Sequence, residues 1–124
     1  MDLSNWDVSN VESMYFMFSE CYIESLNLSE WDTSNVVNIG YIFKNCRALK
    51  KLSVNNWNTS SIIYMYNAFE NCKSLEILDL SSWEVSNVSS MTNIFKNCQS
   101  KYINISTWLI NENCDISDIF KGIK

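Results

Sequence analysis

Tryptophan stands at positions 6, 31, 57, 83 and 108, so one residue type returns every 25 or 26 positions along the whole chain. Each Trp is followed twelve positions later by Phe, at Phe18, Phe43, Phe69, Phe95 and Phe120. Three beyond Phe comes Cys in four copies (Cys21, Cys46, Cys72, Cys98) and Ile123 in the fifth. These three positions are expected to form structural ladders. A fixed period of this length means that one unit cannot bury its apolar side alone and needs stacked neighbours. The 124 residues therefore read as a single domain, 1–124, of five copies at about 1–25, 26–51, 52–77, 78–102 and 103–124. The last copy is degenerate, with Leu109 in place of the acidic residue and Asn113 in place of Val, as a C-terminal cap would be.

Within a copy the apolar spacing changes at the Trp. Leu75, Leu78 and Leu80 lead to Trp83, and Leu49, Leu52 and Val54 lead to Trp57, the every-second-residue pattern of a half-buried strand. After the Trp, Val88, Met91, Ile94, Phe95 and Cys98 recur at three-to-four-residue steps, which predicts one arc of a helical segment. Ser9-Asn10, Ser34-Asn35 and Ser86-Asn87 lie between the two, and Ser9 with Glu12 has capping-box spacing. With no Pro and only Gly40 and Gly122, the turns fall to Ser, Asn and Asp. The expected fold class is an α/β repeat: a short, right-handed, leucine-rich-repeat-like solenoid of about five strand-loop-helix turns.

The stretches Trp31-Asp32-Thr33-Ser34-Asn35-Val36 and Leu80-Ser81-Ser82-Trp83 resemble the Trp-containing leucine-rich repeat of BspA-type bacterial surface proteins. The likeness runs over essentially the whole chain. It implies a curved solenoid with a role in surface attachment or protein binding, and it brings no catalytic site. In this chain Trp sits where an Asn or Cys ladder would run. The loop Ser and Asn residues are therefore expected to take over the backbone capping.

Charge and composition exclude several classes. A net charge of −5 with no basic stripe argues against nucleic acid, which needs a basic face. No run of 18 apolar residues predicts a membrane span. The start Met1-Asp2-Leu3 does not resemble a signal peptide. Localisation thus stays open between the cell surface or secretion that the family resemblance suggests and a fragment or an intracellular protein.

Catalysis is not expected. The chain has no His, and its acidic residues fall at variable, outward positions. Asp7 and Asp32, each one past a Trp, read as loop caps. Four Cys at one repeat position form a column of parallel vectors, poor for disulfides and unable to surround a metal, so buried free thiols are expected and neither metal nor cofactor. Cys114 lies off the column and is the thiol expected to react. The sequons at Asn27, Asn58, Asn87 and Asn104 are what a repeat rich in Asn and Ser produces by accident.

Residues that differ between copies are where a partner would be read. The strand face, including Asp2, Asn27, Ser53, Asp79 and Asn104, is small and polar throughout. On the helical face, with Val11, Met14, Met17 and Phe18 inward, an outward set remains in the first three copies: Phe16, Val37, Tyr41 and Ile63, flanked by Tyr15, Tyr64 and Tyr66. The fourth copy is polar there. This set is the candidate partner-binding surface; the competing reading is that the segment is no regular helix and these residues pack between copies. The expected function is a non-enzymatic protein-binding or surface-attachment module. An intracellular structural or scaffold repeat, or a subunit of a larger assembly, is the alternative. The partner is either another protein or a second copy joined through the ends.

Overall fold

Successive copies lie one upon the next in parallel, and the backbone hydrogen bonds show why. The computed structural model describes residues 2–123. In each of the first four copies the N–H groups of alternate residues after the Trp donate to the next copy, in the second as Ile39 to Tyr64 O, Tyr41 to Tyr66 O, Phe43 to Ala68 O and Asn45 to Glu70 O. The same four bonds recur from Met14, Phe16, Phe18 and Glu20, from Met65, Asn67, Phe69 and Asn71, and from Met91, Asn93, Phe95 and Asn97. The intervening N–H groups close short turns within the copy, as in Ile42 to Ile39 O, Lys44 to Tyr41 O and Cys46 to Phe43 O.

This run overturns the expected strand-loop-helix solenoid. Among the described residues there is no helix, and the strands form two small parallel pairs. The physical reason lies in the dihedral angles. Residues four apart take positive φ: Phe16 and Glu20, Tyr41 and Asn45, Asn67 and Asn71, Asn93 and Asn97, Asp118 and Gly122. A left-handed residue reverses the chain's winding every few positions, so no continuous right-handed helix can propagate. A run of turns with buried residues at steps of three, three, one and three buries the same positions as a helical arc would. Val88, Met91, Ile94, Phe95 and Cys98 are accordingly all buried, without a helix. In the first copy Met17, expected inward, is exposed.

Four short strands lie on another side of the stack: β1 (Ser25–Asn27), β2 (Lys51–Ser53), β3 (Ile77–Asp79) and β4 (Tyr102–Asn104). β1 pairs with β2 and β3 with β4, both parallel, with Leu26 opposite Leu52 and Leu78 opposite Ile103. β2 and β3 do not pair. A shallow cleft of about 350 Å³ opens there, lined by residues of both strands and their flanks, among them Lys50, Lys51, Leu52, Ile77 and Asp79.

The core is a set of ladders. Phe18, Phe43, Phe69, Phe95 and Phe120 stack at centroid distances of 5.7, 5.5, 5.9 and 5.7 Å, and Trp6, Trp31, Trp57 and Trp83 at 6.3, 6.5 and 5.9 Å. The Trp residues also do the backbone capping that the loop residues were expected to do alone. Trp31 Nε1 donates to Leu3 O, Trp57 to Leu28 O, Trp83 to Val54 O and Trp108 to Leu80 O, all at 2.9 to 3.0 Å. Each of these carbonyls also accepts the N–H of the Trp in its own copy. Loop side chains add to this capping, with Asn35 Nδ2 donating to Ser9 O and Asn87 Nδ2 to Ser60 O.

The loops are held by a repeated Asp/Asn-x-Ser turn, in which the first side chain accepts the N–H two residues on. It occurs before the Trp, as Asn27 with Ser29 and Asp79 with Ser81, and after it, as Asp7 with Ser9, Asp32 with Ser34 and Asn58 with Ser60. Asp7 and Asp32 are thus loop caps. The expected capping box at Ser9 and Glu12 has no helix to cap; the Ser9 hydroxyl donates to Asp7 instead. In three of the four sequons, at Asn27, Asn58 and Asn104, the Asn oxygen is the acceptor of this turn.

Candidate functional site

Stacking the copies brings side chains 25 to 51 residues apart onto one outer face. Tyr15, Phe16, Tyr41, Tyr64 and Tyr66 form a contiguous aromatic cluster there, in which Tyr15, Phe16 and Tyr64 are exposed and Tyr41 and Tyr66 half-buried. Phe16 lies flat against Tyr41 at 4.5 Å with 2° between the ring planes. Tyr15 meets Phe16, Tyr41 and Tyr66 edge-on at 4.4, 5.7 and 6.3 Å, and Tyr66 reaches Tyr41 at 5.5 Å and Tyr64 at 6.0 Å. Lys44 Nζ sits 5.2 Å from the Tyr41 ring centre.

Two local features assemble this cluster. The first is Gly40, which occupies in the second copy the place of Tyr15 in the first and Tyr66 in the third. A Cβ on Gly40 would meet Tyr66 Cε2 at 2.6 Å, so only the absence of a side chain lets Tyr66 lean across to Tyr15 and Tyr41. The second is backbone strain. Phe16 and Tyr41 hold φ of 60° and 57° at the position where the third and fourth copies carry Asn67 and Asn93. Asn tolerates the left-handed region; a bulky aromatic there is a genuine outlier. Such strain costs roughly 1–2 kcal/mol per residue and is characteristic of contact and functional sites.

The sequence-selected set is therefore placed as follows. Tyr15, Phe16, Tyr41, Tyr64 and Tyr66 come together, while Val37 and Ile63 lie half-buried in the neighbouring column, where Ile63 N–H donates to Val37 O. The segment is no helix, and Phe16 and Tyr41 do pack between copies, yet the cluster keeps an exposed rim. In the fourth copy the corresponding face is polar, with the Ser90 and Thr92 hydroxyls bonded at 2.7 Å. Sequence reasoning missed Gly40 and Lys44. A Gly in a chain with only two of them was the available signal for the first.

The remaining chemistry-bearing side chains are structural in their surroundings. All five cysteines are free thiols; Cys46, Cys72 and Cys98 are buried, and Cys21 and Cys114 half-buried. Cys46 Sγ donates to Phe18 O at 3.0 Å and Cys72 Sγ to Phe43 O at 3.2 Å. Burial pushes the Cys46 thiol up to about 11 and also raises Cys72, Cys98 and Cys114. The carboxyls of Asp2, Asp7, Asp32, Asp79 and Asp115 lie below the usual carboxylate range because a Ser hydroxyl and backbone N–H donate to each; for Glu84 the Ser86 N–H leads. Glu70 is buried between Lys44 and Lys96, at 3.7 and 3.6 Å, and accepts from Asn67 Nδ2. Among the described residues no helix is long and apolar enough to cross a membrane.

Comparison with known proteins gives one family. A family model described as "Mycoplasma protein of unknown function, DUF285" matches residues 1–57 and 22–124. No curated protein and no solved structure matches the chain.

Proposed function

The chain belongs to the DUF285 family, which carries no function to inherit, and from its surface chemistry we propose that it is a non-enzymatic protein-binding module of the kind used in surface attachment. The observation that carries this reading is the aromatic cluster at Tyr15, Phe16, Tyr41, Tyr64 and Tyr66, with two of its rings held at strained φ. Exposed Tyr residues suit a protein contact because each offers large rigid area and a hydroxyl at low entropic cost, and binding energy concentrates in such aromatic anchors. The resemblance to BspA-type surface repeats points the same way.

The test exploits the repeat itself. Phe16→Asn with Tyr41→Asn installs the residue that the third and fourth copies use at this position. Relief of left-handed strain, roughly 2–4 kcal/mol for the two residues, opposes the loss of four ring pairs worth about 2–6 kcal/mol together, so circular dichroism checks that the double variant keeps its fold. Attachment of labelled protein to intact cells is measured with and without prior protease treatment of the cell surface. Wild type binds untreated cells and not treated ones, and the double variant binds neither. Equal attachment by the double variant would refute the reading.

A further inference from the structure

The strand side of the stack is interrupted between β2 and β3, and we infer that the cleft there binds a free di- or tripeptide, its α-carboxylate on Lys51 and its α-ammonium on Asp79. At the paired junctions Leu28 N–H donates to Ser53 O and Leu80 N–H to Asn104 O. Val54 N–H stands at the equivalent position of the open junction and has no backbone partner among the described residues. The two strands are nevertheless held together at both ends of the gap. Glu76 N–H donates to Lys50 O at 3.1 Å at one end; at the other, Trp83 Nε1 donates to Val54 O at 3.0 Å and Ser82 Oγ to Asn55 O. The cleft of about 350 Å³ is thus an opening with closed ends, at the lower end of the size range of small-molecule sites.

The charges around the cleft select its ligand. Lys50, Lys51, Glu76 and Asp79 line it, yet among the described residues no ion pair crosses it. Lys50 pairs instead with Glu24 of the preceding copy at 4.0 Å. Lys51 and Asp79 make no ion pair among the described residues, which leaves one cation and one anion for a dipolar ligand. Asp79 is held in place by the Ser81 N–H, which donates to Oδ1 at 3.0 Å. Equivalent positions here are 26 residues apart, so Lys51 corresponds to Ile77 and Ser53 to Asp79. The two charges are therefore offset by two residues along the strands and one strand across, roughly 8–9 Å between α-carbons. Two residues of extended chain span about 7 Å and three about 10 Å, which matches that separation. Between the charges, exposed Ile77 offers an apolar contact and Val54 N–H a donor for a peptide carbonyl. Neither charge is required by the fold. Ser25 stands opposite Lys51 in the first copy, and Asn27 and Asn104 make the Asp79 turn with Ser29 and Ser106. The site shares no residue with the aromatic cluster and stands apart from the binding surface proposed above.

The test is a titration of the isotope-labelled intact chain with the tripeptide Ala-Leu-Ala, followed by amide chemical shifts in nuclear magnetic resonance. The Val54 and Asp79 resonances shift and saturate. The N-acetylated and the C-amidated forms of the same peptide each bind about fivefold more weakly, the upper range for loss of one exposed ion pair. Lys51→Ser and Asp79→Asn install residues that other copies use at these positions, and circular dichroism checks that both variants fold. Lys51→Ser weakens the free peptide about fivefold and the C-amidated form no further; Asp79→Asn weakens the free peptide equally and the N-acetylated form no further. Should either variant fail to fold, the two blocked peptides on the wild type carry the test. Absence of a saturable shift at Val54, blocked peptides that bind as tightly as the free one, or folded variants that bind all three peptides as the wild type does overturns the inference.

Discussion

Replacing Trp57 by Phe isolates what the indole N–H does for the stack. Trp57 is buried between Trp31 and Trp83, and its Nε1 donates to Leu28 O at 2.9 Å. Phe keeps most of the ring stacking but removes the donor. Leu28 O still accepts the Trp31 N–H at 3.1 Å, so the buried carbonyl loses one of two bonds and the cost falls at the low end of the range for an unsatisfied group, about 1 kcal/mol. Two ring carbons also leave the core, at about 0.8 kcal/mol each. The sum, roughly 2–3 kcal/mol, corresponds to a melting temperature lower by about 8–12 °C for a domain of this size. The assay is thermal unfolding followed by far-ultraviolet circular dichroism, which does not depend on the tryptophan signal. Trp6→Phe is the control: Trp6 is exposed and its Nε1 has no partner among the described residues, so its cost stays within about 0.5 kcal/mol. If the two variants melt together, the indole ladder does not hold the copies in register.

Other expectations follow from the same geometry. Asn93 holds φ of 55°, so Asn93→Ala should cost about 1 kcal/mol in a urea titration, while Asn93→Gly should be nearly neutral. In the folded protein a thiol reagent should modify the half-buried Cys21 and Cys114 before Cys46, Cys72 and Cys98, which burial shields from the reagent; mass spectrometry after brief alkylation reads this directly. Loop carboxyls such as Asp32 and Asp79 have folded pKa values below the ordinary 3.8, so their contribution is fully present above that value and is lost as pH falls through the lower folded values. With no His in the chain, the urea midpoint should hold nearly constant from about pH 7 to about pH 5 and drop below about pH 4. A steep loss between pH 7 and 5 would contradict the assignment.

The period of the chain was legible because it is written in residue types that only a core selects. Trp31, Phe43 and Cys46 return in register in the next copy, and they are buried as that register requires. The helix does not form although the steps of Val88, Met91, Ile94, Phe95 and Cys98 suggest one, because those steps fit a helical arc and a run of turns equally well. The signal that separates the two was present in Asn67 with Asn71 and Asn93 with Asn97, a residue tolerant of positive φ returning every fourth position, which a helix gives no reason to repeat within a copy. The aromatic surface was legible as the positions that differ between copies. The donor role of the Trp indole was not, because its acceptor lies 28 or 29 residues away and only stacking brings the two together. Neither was the strain at Phe16 and Tyr41, which sequence records only as an aromatic where another copy has Asn.

Gly40 and Tyr66 illustrate what stacking imposes on the history of such a chain. The empty space above one α-carbon is filled by a ring from the following copy, 26 positions on, so position 40 is not free to gain a side chain while Tyr66 stays. A side chain gained at position 40 requires the ring at 66 to move or to be replaced by a smaller residue, and Tyr66 in its present place requires Gly at 40. Duplication of a single copy would separate the pair, whereas duplication of both together would carry the aromatic arrangement intact to a new place in the array. The heritable unit of this surface is therefore two copies long, although the unit of the fold is one.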